Sequence, residues 1–254
     1  MDAIASLLPA GMEQWVAAVL IVASFFTSAL TAAFGVGGGI AMLALMGLFI
    51  PVASLIPVHG AVQLGSNTGR AWHQRAFVRL DVAKPFIVGS VVGAIFGVFL
   101  VVQLPDALLK LVLGGFVLVL TWVKVPGIDR LSKAGLGVAS IALALLSMLV
   151  GATGPLVAAL LARFFQNDRR ALIATSAVAL TTQHLLKIVV FGLAGFAFWE
   201  WMPLVAAMIL SGFMGTVYGT ALLERMPEEM FRKWFRIGIT LLALDLLRRG
   251  LTAL

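Results

Sequence analysis

Four glycines in five residues, Gly35-Val36-Gly37-Gly38-Gly39, stand between two hydrophobic runs that would otherwise read as one long membrane helix. Each glycine costs a helix about 1 kcal/mol relative to alanine, so the stretch breaks it. In hydrocarbon the freed amides and carbonyls must then find partners within the protein. A related stretch, Gly151-Ala152-Thr153-Gly154-Pro155, recurs 116 residues later in a similar setting. Each break is therefore either a tight turn at a membrane surface or an irregular segment buried in protein and facing a ligand.

The setting is a bilayer. Hydrophobic residues make up 61% of the 254 and charged residues 11%, with a mean hydropathy of +1.08. A soluble domain carries about 25% charged residues. The expected fold class is an all-α polytopic membrane protein, with the whole chain used in spanning. Cysteine is absent, which excludes disulfides, thiolate metal sites and cysteine nucleophiles. The net charge of +7 bears on orientation rather than on nucleic acid, because the basic residues lie scattered in loops without an aromatic–basic stripe. The chain opens Met1-Asp2-Ala3 with no basic region, so no cleavable signal peptide is expected.

Apolar spans are expected at about 15–34, 40–56, 82–102, 107–123, 134–150, 171–198, 202–223 and 231–247, with a short run at about 156–165. Pro51 and Pro57 bend or end the second. A polar interval at about 58–76 reads as a short buried helix or an interfacial one. Gly93, Gly97, Pro105 and Lys110 recur as Gly215, Gly219, Pro227 and Arg232 at a shift of 122. With the breaks matched at 116, residues 1–130 and 131–254 read as two repeats of about five membrane elements each. Most of the 18 basic residues fall in four loop clusters. These are Arg70, Arg75, Arg79 and Lys84; Lys124, Arg130 and Lys133; Arg163, Arg169 and Arg170; and Arg225, Arg232, Lys233 and Arg236. Such clusters are cytoplasmic by the positive-inside rule. An odd number of crossings per half makes the repeats inverted, with broken, re-entrant helices and the substrate site at their interface. If the polar interval does not cross, nine crossings remain and the N-terminus moves inside.

At each break, free N–H groups and the positive end of the next helix can hold an anion. The candidate contacts are Gly35, Gly37, Gly38, Gly39, Gly151, Thr153 and Gly154. The competing explanation is a hairpin turn or close helix packing. His59, Gln63, Ser66, Asn67 and Arg70 are spaced by three or four and share a helix face. Their counterparts are Thr181, Thr182, Gln183, His184 and Lys187. Polar groups inside a membrane point to a transport path, against helix–helix hydrogen bonding as the alternative. His73 and Arg75 read as surface loop residues. Lys187 lies deep in its span with no obvious acidic partner, whereas Asp245 has Arg248 three residues on. The pairs Gly93/Gly97 and Gly215/Gly219 read as close-packing motifs, and the six tryptophans as interfacial anchors. No HExxH, GxSxG, nucleotide-binding glycine motif or paired intramembrane carboxylate occurs, so neither an enzyme nor a cofactor site is expected. The three histidines would form a metal site only by coincidence of folding.

In the glycine stretch at 35–39, the polar stretch containing Asn67, the second break at 151–155 and the two GxxxG…Pro endings, the chain resembles the TauE/SafE sulfite-exporter permease family. The second break departs from the glycine-rich pattern at Thr153. The resemblance implies a bacterial inner-membrane permease of two related halves that moves small, often sulfur-containing anions. The expected function is a secondary transporter, with Gln63, Asn67, Thr153, Gln183, His184 and Lys187 lining the path. Coupling would be to protons or membrane potential, with His59 or His184 as proton carrier. An anion channel and a non-transporting scaffold subunit are the alternatives. The partners expected are a small anionic substrate, the lipid bilayer, coupling protons and, as an option, a second copy in a homodimer, with no nucleic acid.

Overall fold

The computed structural model describes residues 8–34, 37–100, 105–123, 131–165, 168–223 and 228–253. Of the positions singled out above, Met1 to Ala3, Gly35, Lys124, Arg130, Arg225 and Pro227 lie outside them, as do the surroundings of Gly219 and the side chains of Arg169, Arg232, Lys233, Trp234 and Arg236.

The described residues form ten α-helices and no strands: α1 (Gln14–Phe34), α2 (Gly38–Phe49), α3 (Val52–His73), α4 (Leu80–Leu100), α5 (Asp106–Trp122), α6 (Lys133–Val150), α7 (Gly154–Ala162), α8 (Arg169–Leu193), α9 (Met202–Leu223) and α10 (Glu228–Leu251). Short 3-10 turns occupy Arg75–Phe77 and Phe198–Trp201. Caps fix several starts. Ser132 accepts from the Gly135 amide and Asp168 from the Ala171 amide, each at 3.0 Å. Pro51 and Pro105 precede α3 and α5 in extended conformation.

Three expectations are corrected. The run at 40–56 is two helices, because α2 ends at Phe49 and Pro51 opens α3. Pro57 is then the sixth residue of α3, where its missing N–H removes only one helical hydrogen bond. The polar interval is the greater part of α3, whose 22 residues reach about 33 Å; it is neither short nor interfacial, being buried from Leu55 to Val62 and again at Ser66, Asn67 and Arg70. The span at 171–198 stops at Leu193, short of Gly195, whose φ is +89°.

Among the described residues five helices are long and apolar enough to cross a membrane: Gln14–Ala33, Leu80–Gly97, Lys133–Val150, Arg170–Leu193 and Phe198–Tyr218. The other expected crossings are short (α2, α5, α7) or polar (α3, α10). Val22, Phe26, Val88, Ile95 and Leu210 are exposed on these helices, as a lipid-facing surface requires. Trp15, Trp72, Trp122 and Trp199 are exposed, but Trp201 is 7% exposed and packs in the core, so it is not an interfacial anchor.

The four most extensive helix pairings map onto one another when residues 1–130 and 131–254 are exchanged. α1 packs on α9 and α6 on α4; α3 packs on α8 and α5 on α10. Small residues permit the close pairs. A Cβ on Gly93 would come within 2.6 Å of the Ile141 carbonyl oxygen, and one on Gly215 would run into that of Phe25. Ile141 and Phe25 are themselves 116 apart, so both pairs use one contact in duplicate. Ser24 donates to the Met208 carbonyl at 2.7 Å and Ser211 to that of Ile21 at 2.6 Å, tying α1 to α9. The α3 and α8 helices run antiparallel. Gly60 faces the Lys187 side chain, while beyond the end of α3 the Arg79 amide donates to Thr175 Oγ1 at 3.0 Å and Phe77 stacks on Arg170.

Gly215→Val should destabilise the protein by about 1–3 kcal/mol through overpacking, seen as a lower melting temperature in detergent. Gly115→Ala, where a Cβ meets nothing within 4 Å, should leave it unchanged.

Candidate functional site

Both breaks turn on glycines that no side chain could replace without strain. At the first, Gly37 precedes α2 with φ +106°; at the second, Gly151 closes α6 with φ +79°. A residue with a Cβ resists such angles. Each break then opens a new helix, α2 at Gly38 and α7 at Gly154. These starts lie 116 residues apart, and their first amides have no partner within the helix.

The two breaks meet. One cavity is lined by Gly37, Gly39 and Ile40 from the first and by Ala152, Thr153, Gly154 and Pro155 from the second. Thr31 closes it from α1, His59, Gln63 and Asn67 from α3, and Leu180 and His184 from α8. Its volume is about 30 Å³. Since about 10–15 Å³ in that measure holds one water, the space suits an ion of a few atoms.

Around it the polar side chains form short chains of hydrogen bonds. His59 Nε2 donates to the Gly39 carbonyl at 2.9 Å, pinning the first turn of α2. Asn67 Nδ2 donates to the Gln63 carbonyl at 2.8 Å. Thr153 Oγ1 donates to Gln183 Oε1 at 2.9 Å across the second break. The His59 and His184 rings lie edge to face, 6.0 Å apart. Gln183 Nε2, His59 Nδ1 and His184 Nδ1 are buried without a protein partner.

Of the residues predicted from the sequence, Gly37, Gly39, Gln63, Asn67, Thr153, Gly154 and His184 line the cavity. Four described ones do not. Gly38 is a packing residue, because a Cβ there would strike the Thr27 carbonyl and the Thr31 hydroxyl. Gly151 packs on Leu43. Gln183 stands behind Thr153. Lys187 is fully buried and donates from Nζ to the Gly151 carbonyl at 2.6 Å, so it lies behind the second break rather than in the cavity wall. Thr182 bonds back to the Val178 carbonyl at 3.1 Å within its own helix. His73 and Arg75 are exposed, as expected of loop residues.

Arg70 carries two expectations from the sequence, one as a cytoplasmic loop cation and one as a member of the polar face with His59, Gln63, Ser66 and Asn67. It is 2% exposed, which fits the second and not the first. Its Nη1 donates to Asn67 Oδ1 at 3.0 Å and its Nη2 to Ser66 Oγ at 3.4 Å. Spacing was the signal: Arg70 follows Ser66 by four residues and Asn67 by three, on the face that packs inward. Thr31, Ile40 and Leu180 were not foreseen, since nothing local to them marks a cavity wall.

Two helix N-termini and amide and hydroxyl side chains meet at this cavity; Lys187 stands behind its second break, Arg70 bonds to Asn67 of its wall, and among the described residues no carboxylate pairs with either cation. The paired acids lie elsewhere: Asp81 with Arg79 and Lys133, and Asp245 with Arg248 and Arg249.

A family model described as sulfite exporter TauE/SafE matches residues 20–246. No curated protein and no solved structure matches the chain.

Gly151→Ala forces a side chain into a conformation that costs about 1–3 kcal/mol, with its Cβ 3.0 Å from Leu43. The variant should melt lower by the corresponding amount in detergent, whereas Gly154→Ala, with only Leu180 at 3.8 Å, should not.

Proposed function

Since the chain belongs to the TauE/SafE sulfite exporter family, we propose that it is a secondary transporter for a small sulfur-containing anion such as sulfite, thiosulfate, a sulfonate or a sulfur-bearing carboxylate. The observation that carries this reading is the meeting of both glycine breaks at one donor-rich cavity. Backbone amides at two helix starts bind the anion, with Gln63, Asn67, Thr153 and His184 around it. Lys187 acts from behind Gly151, supplying positive potential and holding the break open in its irregular form. Gln183 orients the Thr153 hydroxyl.

Alternating access is the working principle of this proposal. Residues 1–130 and 131–254 act as two inverted repeats that rock about the cavity. The antiparallel α3 and α8 and the exchangeable helix pairing support that arrangement. The protein works in the bacterial inner membrane, and proton coupling falls to His59 and His184, whose rings meet edge to face in the cavity wall.

Purified protein in liposomes should then show saturable flux of sulfite or thiosulfate. Lys187→Ala should lower that flux about tenfold or more, the loss of one charged hydrogen bond, while the protein still inserts and elutes as a single species. Flux rising linearly with concentration would indicate a channel, and no flux of any anion a scaffold.

A further inference from the structure

Arg70 is a buried cation to which the transport reading above gives no task. Its Nε has no partner. Its other contacts, Asn67 and Ser66, are neutral, and Ser66 Oγ lies 3.3 Å from another neutral group, Ser28 Oγ on α1. Burying a charge without a counter-ion is costly, and within a membrane protein it marks function.

Arg70 also has a double. It lies eighteen residues after Val52, the first residue of α3, and Lys187 lies eighteen after Arg169, the first of α8. In that register Ser66-Asn67 matches Gln183-His184, and Asn67 and His184 both line the cavity. Because α3 and α8 run antiparallel, the two cations fall on opposite sides of the cavity. Lys187 is level with Gly60. Arg70 is ten residues further along α3, about 15 Å on. Past Arg70 the chain surfaces at once, at Trp72 and His73; past Lys187 it surfaces at Leu193 to Gly195. Each cation stands between the cavity and one face of the protein.

We propose that Arg70 is a second anion-binding residue of the transport path, a station between the cavity and the face where α3 ends, as Lys187 serves the opposite face. Asn67 holds one arm of the guanidinium. The other edge carries the unpartnered Nε–H and an Nη2 with only a long contact to Ser66. That edge is a fork that fits two oxygens of one oxyanion. The station therefore takes sulfite, thiosulfate, sulfonate or carboxylate groups in preference to a halide.

The proposal rests on the transport reading, and its test separates the two. Flux of sulfite and thiosulfate is measured from each face, in liposomes of one orientation, for the wild type, R70M and R70K. Melting temperatures are taken without anion. R70M should fold and melt at or above the wild type, since it removes an unpaired buried charge. Its half-saturating concentration should rise about tenfold or more at the face where α3 ends, and remain unchanged at the other. R70K should recover only part of the loss, because an ammonium lacks the fork. An R70M that saturates like the wild type at both faces overturns the proposal, as does one shifted equally at both. An R70M that fails to fold or melts below the wild type also overturns it, by making Arg70 a structural tie. A wild type that moves neither anion defeats the transport reading itself, and this proposal with it.

Discussion

A helix interrupted inside an apolar bundle releases backbone groups that no solvent is present to satisfy. The carbonyl of Gly151 is such a group, and the Lys187 ammonium takes it at 2.6 Å. At the other break the His59 ring adds a second donor, at 2.9 Å, to the Gly39 carbonyl in the first turn of α2. Both donors come from the polar helices α3 and α8, which pack against each other at the centre. The residues that make these helices too polar for lipid are the ones the breaks require. That pairing of broken backbone with buried donors fixes the shape of both breaks around the cavity.

The same devices occur twice. Glycine lets α4 approach α6 at Ile141 and α9 approach α1 at Phe25. A helix opens at Gly38 and again at Gly154. A buried cation closes the inward face of α3 and of α8 at the same distance from the helix start. Where the copies differ, each uses different chemistry for a similar task. The second break has Thr153 and Pro155 where the first has glycines, and there the Thr153 hydroxyl lines the cavity with Gln183 bonded behind it. A site of this kind need not be chemically symmetric to be built from matching parts.

The glycine breaks and the polar spacing on α3 were legible because both violate what lipid permits, so each demands a partner that only the protein interior can supply. Asp245 was legible for the same reason, and its carboxylate is met by Arg248 at 2.7 Å and by Arg249 at 2.8 Å. Depth was legible from helical spacing but not from the count of loop charges. Arg70 and Arg75 are five residues apart in one basic cluster, yet one is buried and the other exposed. Only their helical phase separates them, and a count of loop charges discards phase. Lys187 was correctly read as buried, but which side of the break it stands on is set by Gly60, a residue on another helix that leaves room for its side chain. Trp201 was misread because a position next to a helix start is compatible with either surface or core.

The central claim is that two broken segments join in gripping one negative ion. Selenite, a heavier stand-in for sulfite, can be located by its anomalous scattering in crystals grown with it. A selenium peak within hydrogen-bonding reach of the amides of Gly39 and Gly154 is the predicted result. A cavity empty of selenium, with the ion bound only at the protein's surface, would contradict it.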